Sequence, residues 1–78
     1  MFFEKKLKKL SWRERQLFLY LFQDLRMKEI AAIMKLDTRT IDTYASSIYR
    51  KFEVNGRIGL ILSVLEETKG LIPIDSSK

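Results

Sequence analysis

The only proline in the chain is Pro73, so residues 1–70 hold no ring that would remove a helical hydrogen bond or clash with the preceding turn. Helices can run until a cap or a glycine stops them. Apolar residues recur at spacings of three and four through much of that span, the period of helices that bury one face. At 78 residues the chain makes one domain that buries about two thirds of its unfolded surface, so its helices must share one compact core. The expectation is an all-α fold.

Ser11-Trp12-Arg13-Glu14 carries the first clear helix start: Ser11 can accept from the Glu14 amide while the Glu14 carboxylate reaches back, a reciprocal capping box. The helix predicted from Trp12 to about Gln23 has Leu17, Tyr20, Leu21 and Leu25 on its core stripe, widened to one side by Phe18 and Phe22. A short helix over 27–34 turns Ile30, Ala31 and either Ile33 or Met34 inward, and its two consecutive alanines admit a close neighbour. A third helix covers about 38–52, with Asp37 as N-cap to the Thr40 amide and Ile41, Tyr44, Ala45, Ile48 and Phe52 sharing one face. Trp12 and the five phenylalanines read first as packing residues.

The fourth predicted helix, about 57–68, is apolar over more than half its circumference, at Ile58, Leu60, Ile61, Leu62, Val64 and Leu65. One core needs only about 100° of that. The surplus predicts a second buried surface, Ile58, Ile61, Leu62 and Leu65, which a symmetric homodimer would cover. Alternatively, Leu71, Ile72 and Ile74 fold back over it within one chain. Residues 1–10 then form a basic arm, 11–69 the folded domain and 70–78 a tail.

Opposite its apolar face, the helix over 38–52 presents Arg39, Thr43, Ser46 and Arg50, with Asp42 and Ser47 at the margins. A merely solvated helix would usually carry Glu and Lys there. Short hydroxyls let a helix sit deep in a groove about 12 Å wide, and they donate or accept at base edges or phosphates. Fifteen Lys and Arg against ten acids give a net charge of +5, which attracts phosphate polyanions through space.

Other chemistries find little footing. The chain has no Cys and no His, so the usual zinc ligands are missing and no metal or cofactor is expected. Ser46 and Ser47 have no histidine base, and no glycine-rich loop leads into a Lys-Ser or Lys-Thr helix start that would hold a nucleotide; an enzyme is not expected. The apolar run Leu60 to Leu65, interrupted by Ser63, is far too short for a bilayer, and MFFEKKLKKL lacks the continuous apolar core of a secretory signal. The expected location is cytoplasmic.

The residues are specific enough to carry a resemblance. Leu10-Ser11-x-x-Glu14-Arg15, Lys28-Glu29-Ile30-Ala31, Thr40-Ile41-Asp42-x-Tyr44, Ile48, Arg50-Lys51-Phe52-x-Val54 and Arg57 resemble, without a gap, the LuxR/GerE-type DNA-binding domain over about residues 9–66. The resemblance implies a compact four-helix helix-turn-helix domain, here with room for an extra N-terminal helical arm, and a bacterial transcription regulator. It implies double-stranded DNA as partner, with the helix over 38–52 in the major groove. Asp42, Thr43 and Ser46 match positions that face base edges, and Arg39, Arg50 and Lys51 match positions near phosphates. Thr40, Ser47, Lys28 and Arg57 complete the expected DNA-binding set. The helix over 57–68 matches the family's dimer interface.

The chain also departs from that pattern. Most relatives carry Lys or Arg in place of Asp42. Asp42 either accepts from a cytosine amino group and narrows the target, or is a solvated acid paired with Arg39 that weakens DNA affinity. Glycine is frequent in relatives at the positions of Asp24, Lys35 and Glu53, where a left-handed residue closes a helix. Arg26 stands where a hydroxyl normally caps the helix over 27–34, which leaves Asp24 as the nearby acid for that role. Met1 lies ten residues before Ser11, the arrangement of a free-standing regulator or of a piece of a longer one.

Two further readings stay open. The EKKLKK arm packs an apolar side on the domain with its lysines solvated, tracks phosphates beside the main contact, or lies on an anionic membrane through Phe3, Leu7 and Leu10. The rival to a DNA reader is a protein-binding module that captures another regulator through the helix over 57–68 and has lost most DNA affinity.

Overall fold

The computed structural model describes residues 2–68, and of these all regular structure is helical: α1 (Phe2–Lys8), α2 (Trp12–Leu21), α3 (Met27–Met34), α4 (Thr38–Lys51) and α5 (Arg57–Thr68). Four of these helices are those predicted from periodicity and caps. The fifth, α1, is the basic arm. The Leu71, Ile72 and Ile74 tail and the Phe3 side chain, and with them the fold-back alternative and the third apolar residue of the arm, lie outside the described residues.

The core forms where α2 and α3 pack on α4, with α5 closing it and α1 lying on α5. Leu17, Leu21, Ile30, Ile41, Ile48 and Leu60 are completely buried, with Phe18, Ala31, Met34, Ala45 and Phe52 around them. Phe18 links the aromatic group, its ring 4.9 Å from Phe22 and 5.3 Å from Phe52. On α3, Met34 faces inward and Ile33 is exposed, which settles the choice between them. Only Ala31 of the alanine pair meets the neighbour; Ala32 faces out.

The capping box of α2 is complete: Glu14 N–H donates to Ser11 Oγ at 3.2 Å and Ser11 N–H to Glu14 Oε1 at 2.8 Å. For α3 the structure corrects the expected cap. Asp24 does not cap it. Arg26 is the N-cap, and the Arg26 amide donates to Glu29 Oε1 at 2.6 Å. A guanidinium has no acceptor to return the bond.

Two of the three departures from glycine sit in left-handed backbone. Lys35 closes α3 and Glu53 follows α4, each with φ near 59°. Both lie in Schellman-type turns: Leu36 N–H reaches Ala31 O and Val54 N–H reaches Tyr49 O, each at 2.9 Å. Asp24 has no positive φ. Its turn needs no left-handed residue, because α2 ends at Leu21 rather than Gln23 and its last carbonyls are capped from α5, as described below.

Candidate nucleic-acid interface

The α3–α4 turn aims α4. Lys35, Leu36 and Asp37 alone join the two helices. Leu36 packs on the core, while Asp37 Oδ1 accepts from Thr40 N–H at 2.7 Å. That amide bond, with the Thr40 side chain, holds the Asp37 carboxyl below its ordinary range. With Ile41, Ala45, Ile48 and Phe52 all buried, α4 cannot rotate without exposing its apolar face.

The opposite face is open. Arg39, Asp42, Thr43, Ser46 and Arg50 are all exposed. Their spacing of three, four and seven lines them along one side, about 16 Å from Arg39 to Arg50 at the helical rise. Thr43 Oγ1 donates to Arg39 O at 3.1 Å, so its hydroxyl proton is engaged within the helix while its methyl and lone pairs face out. Among the described residues no ion pair joins Arg39 to Asp42, so the pairing that one reading of Asp42 required is not formed. Lys28, at the start of α3, is exposed. Thr40 is half-buried beside the turn.

Three residues of the expected DNA-binding set face elsewhere. Lys51 Nζ lies 2.7 Å from Glu14 Oε1 and also donates to Lys9 O at 3.0 Å. Ser47 is half-buried and hydrogen-bonds the same carboxylate. Burial alone would raise the Glu14 carboxyl, but the bonds from Lys51, Ser47 and the Ser11 amide, with the Lys51 charge, hold it at about 2. Arg57 turns inward instead of outward. Its Nε donates to Leu21 O at 2.9 Å, Nη1 to Leu25 O at 2.5 Å, and Nη2 to Gln23 O at 2.6 Å and Tyr20 O at 3.4 Å. The guanidinium fork satisfies Leu21 O and Leu25 O, and adds to Tyr20 O and Gln23 O, which also accept from the Gln23 and Leu25 amides; its charge meets the negative end of α2.

Sequence reasoning missed this cap because Arg57 and Leu21 are far apart in the chain and an arginine at a helix start reads as surface. It also missed Lys6. That side chain is buried, its Nζ donating to Phe52 O at 3.4 Å and lying 5.8 Å from the Phe52 ring. The arm therefore packs through Leu7, Leu10 and one of its lysines, whereas Lys5, Lys8 and Lys9 remain exposed. Nor is Trp12 a packing residue: it is 72% exposed.

On α5, Leu60 is buried and Val64 packs beside it. Ile58, Leu62 and Leu65 are 73%, 60% and 47% exposed, and Ile61 is half-buried. The four recur at three, four and seven and make a second apolar face. No described helix is long and apolar enough to cross a membrane, and no cluster of metal-ligating side chains occurs among the described residues.

Comparison with known proteins gives the geometry its family. Searches of curated proteins and of solved structures return no significant match. The family model described as GerE, bacterial regulatory proteins, luxR family, matches residues 8–64, a span from the end of α1 to the middle of α5. The chain thus belongs to the luxR family of bacterial regulatory proteins, DNA-binding helix-turn-helix regulators rather than enzymes.

Proposed function

We propose that the protein binds double-stranded DNA sequence-specifically as a cytoplasmic transcription regulator, with α4 in the major groove and two copies paired through α5. The observation that carries this reading is the open ridge of Arg39, Thr43, Ser46 and Arg50 on a helix whose other face is locked in the core. Arg39 and Arg50 bracket the ridge and meet phosphates at its two ends, while Thr43, Ser46 and Asp42 face base edges between them. Lys28, at the start of α3, and Thr40, beside the α3–α4 turn, add backbone contacts. Lys51, Ser47 and Arg57 are left out of the contact set: Glu14 engages the first two and the end of α2 engages the third. They position α4 and α5.

The second apolar face of α5 supports the pairing. Exposed isoleucine and leucine at helical spacing lose water when a second copy covers them. A two-fold dimer reads a partly palindromic target with half-sites about one helical turn apart or closer.

The test is selection of duplexes from a random pool, followed by titration of the selected and a scrambled duplex at low and high salt. The reading expects a recovered consensus and affinity that falls steeply with salt for both duplexes, with the selected one favoured throughout. Absence of any consensus, with weak binding that ignores salt, would reject it.

A further inference from the structure

Helix α2 has two apolar faces, of which the core uses one. Leu17, Phe18 and Leu21 point inward, whereas Trp12 and Leu19 are 72% and 66% exposed on the far side, with Arg15 and Gln16 between them. That outer face borders a cleft of about 760 Å³ between α1 and α2, lined by Leu7, Phe18, Leu19, Lys8, Arg15 and Glu4. Neither Lys8 nor Arg15 has an ion-pair partner among the described residues, and Glu4, the acid on the lining, has a partner of its own. Arg13 lies 5.8 Å from the Trp12 ring and adds a third cation beside that exposed face. Trp12 and Gln16 line a smaller adjoining groove that shares Arg15 and Leu19 with the cleft, and there Gln16 Oε1 is shielded from solvent and lacks a hydrogen-bond partner.

We propose that this cleft docks an acidic amphipathic segment of a partner protein. Its apolar side chains fill the space between Leu7 and Leu19 and cover Trp12, while its carboxylates meet Lys8, Arg13 and Arg15. Exposed tryptophan and arginine around a concave apolar floor are the composition of an interface hot spot. Concavity favours a protruding peptide side chain over a flat lipid surface, and the cationic rim selects the charge of the partner. The cleft is built from α1 and α2, whereas the proposed DNA ridge is on α4 and the proposed pairing face on α5, so the three surfaces can be occupied separately.

Trp12 is the only tryptophan and reports on its own surroundings. The full chain is titrated with a short helical peptide carrying leucines one turn apart and flanked by glutamates, with the same peptide bearing lysines for glutamates, and with anionic phosphatidylglycerol vesicles. The expected result is a saturable blue shift of Trp12 emission with the acidic peptide alone, and affinity about tenfold weaker in both Leu19→Glu and Arg15→Glu. Duplex binding and the mass in solution stay unchanged in Leu19→Glu, so failure here is separable from failure of the DNA reading. No shift with the acidic peptide, an equal shift with the lysine peptide, a shift with vesicles only, or a changed mass in Leu19→Glu would each overturn the proposal.

Discussion

Lys51, in the last turn of α4, places its Nζ 2.7 Å from Oε1 of Glu14, the residue that completes the capping box of α2. One carboxylate thereby closes a helix start and fixes the far end of the helix proposed to read DNA. Lys51→Met leaves Glu14 buried with its charge uncompensated, and the expected cost is about 2 kcal/mol. That figure is set below the range for fully buried pairs because Lys51 is 33% exposed and partly screened. Urea unfolding at neutral pH measures it. Glu14→Gln costs less, since Lys51 can return to water.

The same pair makes stability depend on acid. The Glu14 carboxyl titrates at about 2 in the folded chain against an ordinary 4.5, so the unfolded chain binds the proton first as pH falls. The stabilisation is complete above about 4.5, declines below it, and is lost as pH passes about 2. Asp37, also lowered, adds in the same direction. Unfolding midpoints between pH 5 and 2 should fall more steeply for the native sequence than for Glu14→Gln; parallel curves would contradict the assignment.

Lys35 and Glu53 pay a steric cost at positive φ that glycine does not. Lys35→Gly and Glu53→Gly are each expected to stabilise the fold by roughly 1 kcal/mol, additively because each lies in its own turn. Thermal denaturation of the two single variants and the double variant tests both points. Asp24→Gly has no such strain to relieve and should not stabilise.

These substitutions also mark what was legible in the sequence. Caps at Ser11 and Asp37, and the period-3.6 stripes through Leu17, Ile30, Ile41 and Leu60, are local signals, and the helices they predict are present. The outward ridge of α4 follows from the same wheel. Arg57, Lys51 and Lys6 were not readable, because each acts on a carbonyl or carboxylate more than thirty residues away, and a basic side chain looks alike whether it faces phosphate or a helix end. Trp12 was misplaced for the converse reason: its size argues for burial, but it falls on the outer face of α2.

Arg57→Ala removes four donors from the end of α2 at once. Tyr20 O and Gln23 O keep their backbone donors, so it is the loss at Leu21 O and Leu25 O that is expected to cost roughly 2–4 kcal/mol, read by chemical denaturation. Arg57→Lys should recover only part, since an ammonium cannot reproduce the planar fork. Equal stability of all three proteins would show that water replaces the cap.

Leu62→Glu puts a charge at the centre of the exposed face of α5. It should leave the fold intact by circular dichroism, because Leu62 is 60% exposed, while converting the dimer proposed through α5 to monomers by light scattering. An unchanged dimer mass would remove α5 from the pairing.

Asp42 separates two ways of reading DNA. It is exposed and, among the described residues, unpaired with Arg39, so its charge faces whatever enters against α4. Asp42→Lys should tighten binding to every duplex and steepen the dependence of log affinity on log salt by about one phosphate contact. If Asp42 accepts from a cytosine amino group, the same change also erases the preference for cytosine at one position of each half-site, by roughly 1–3 kcal/mol. Asp42→Asn then divides the cases: it removes the repulsion without adding a phosphate contact, so a solvated acid predicts modestly tighter binding at unchanged preference. A base-reading acid predicts weaker binding to the selected duplex alone. Selection from a random pool with each variant distinguishes the outcomes, and an unaltered affinity, salt slope and consensus in both would place Asp42, and the α4 surface around it, outside the DNA contact.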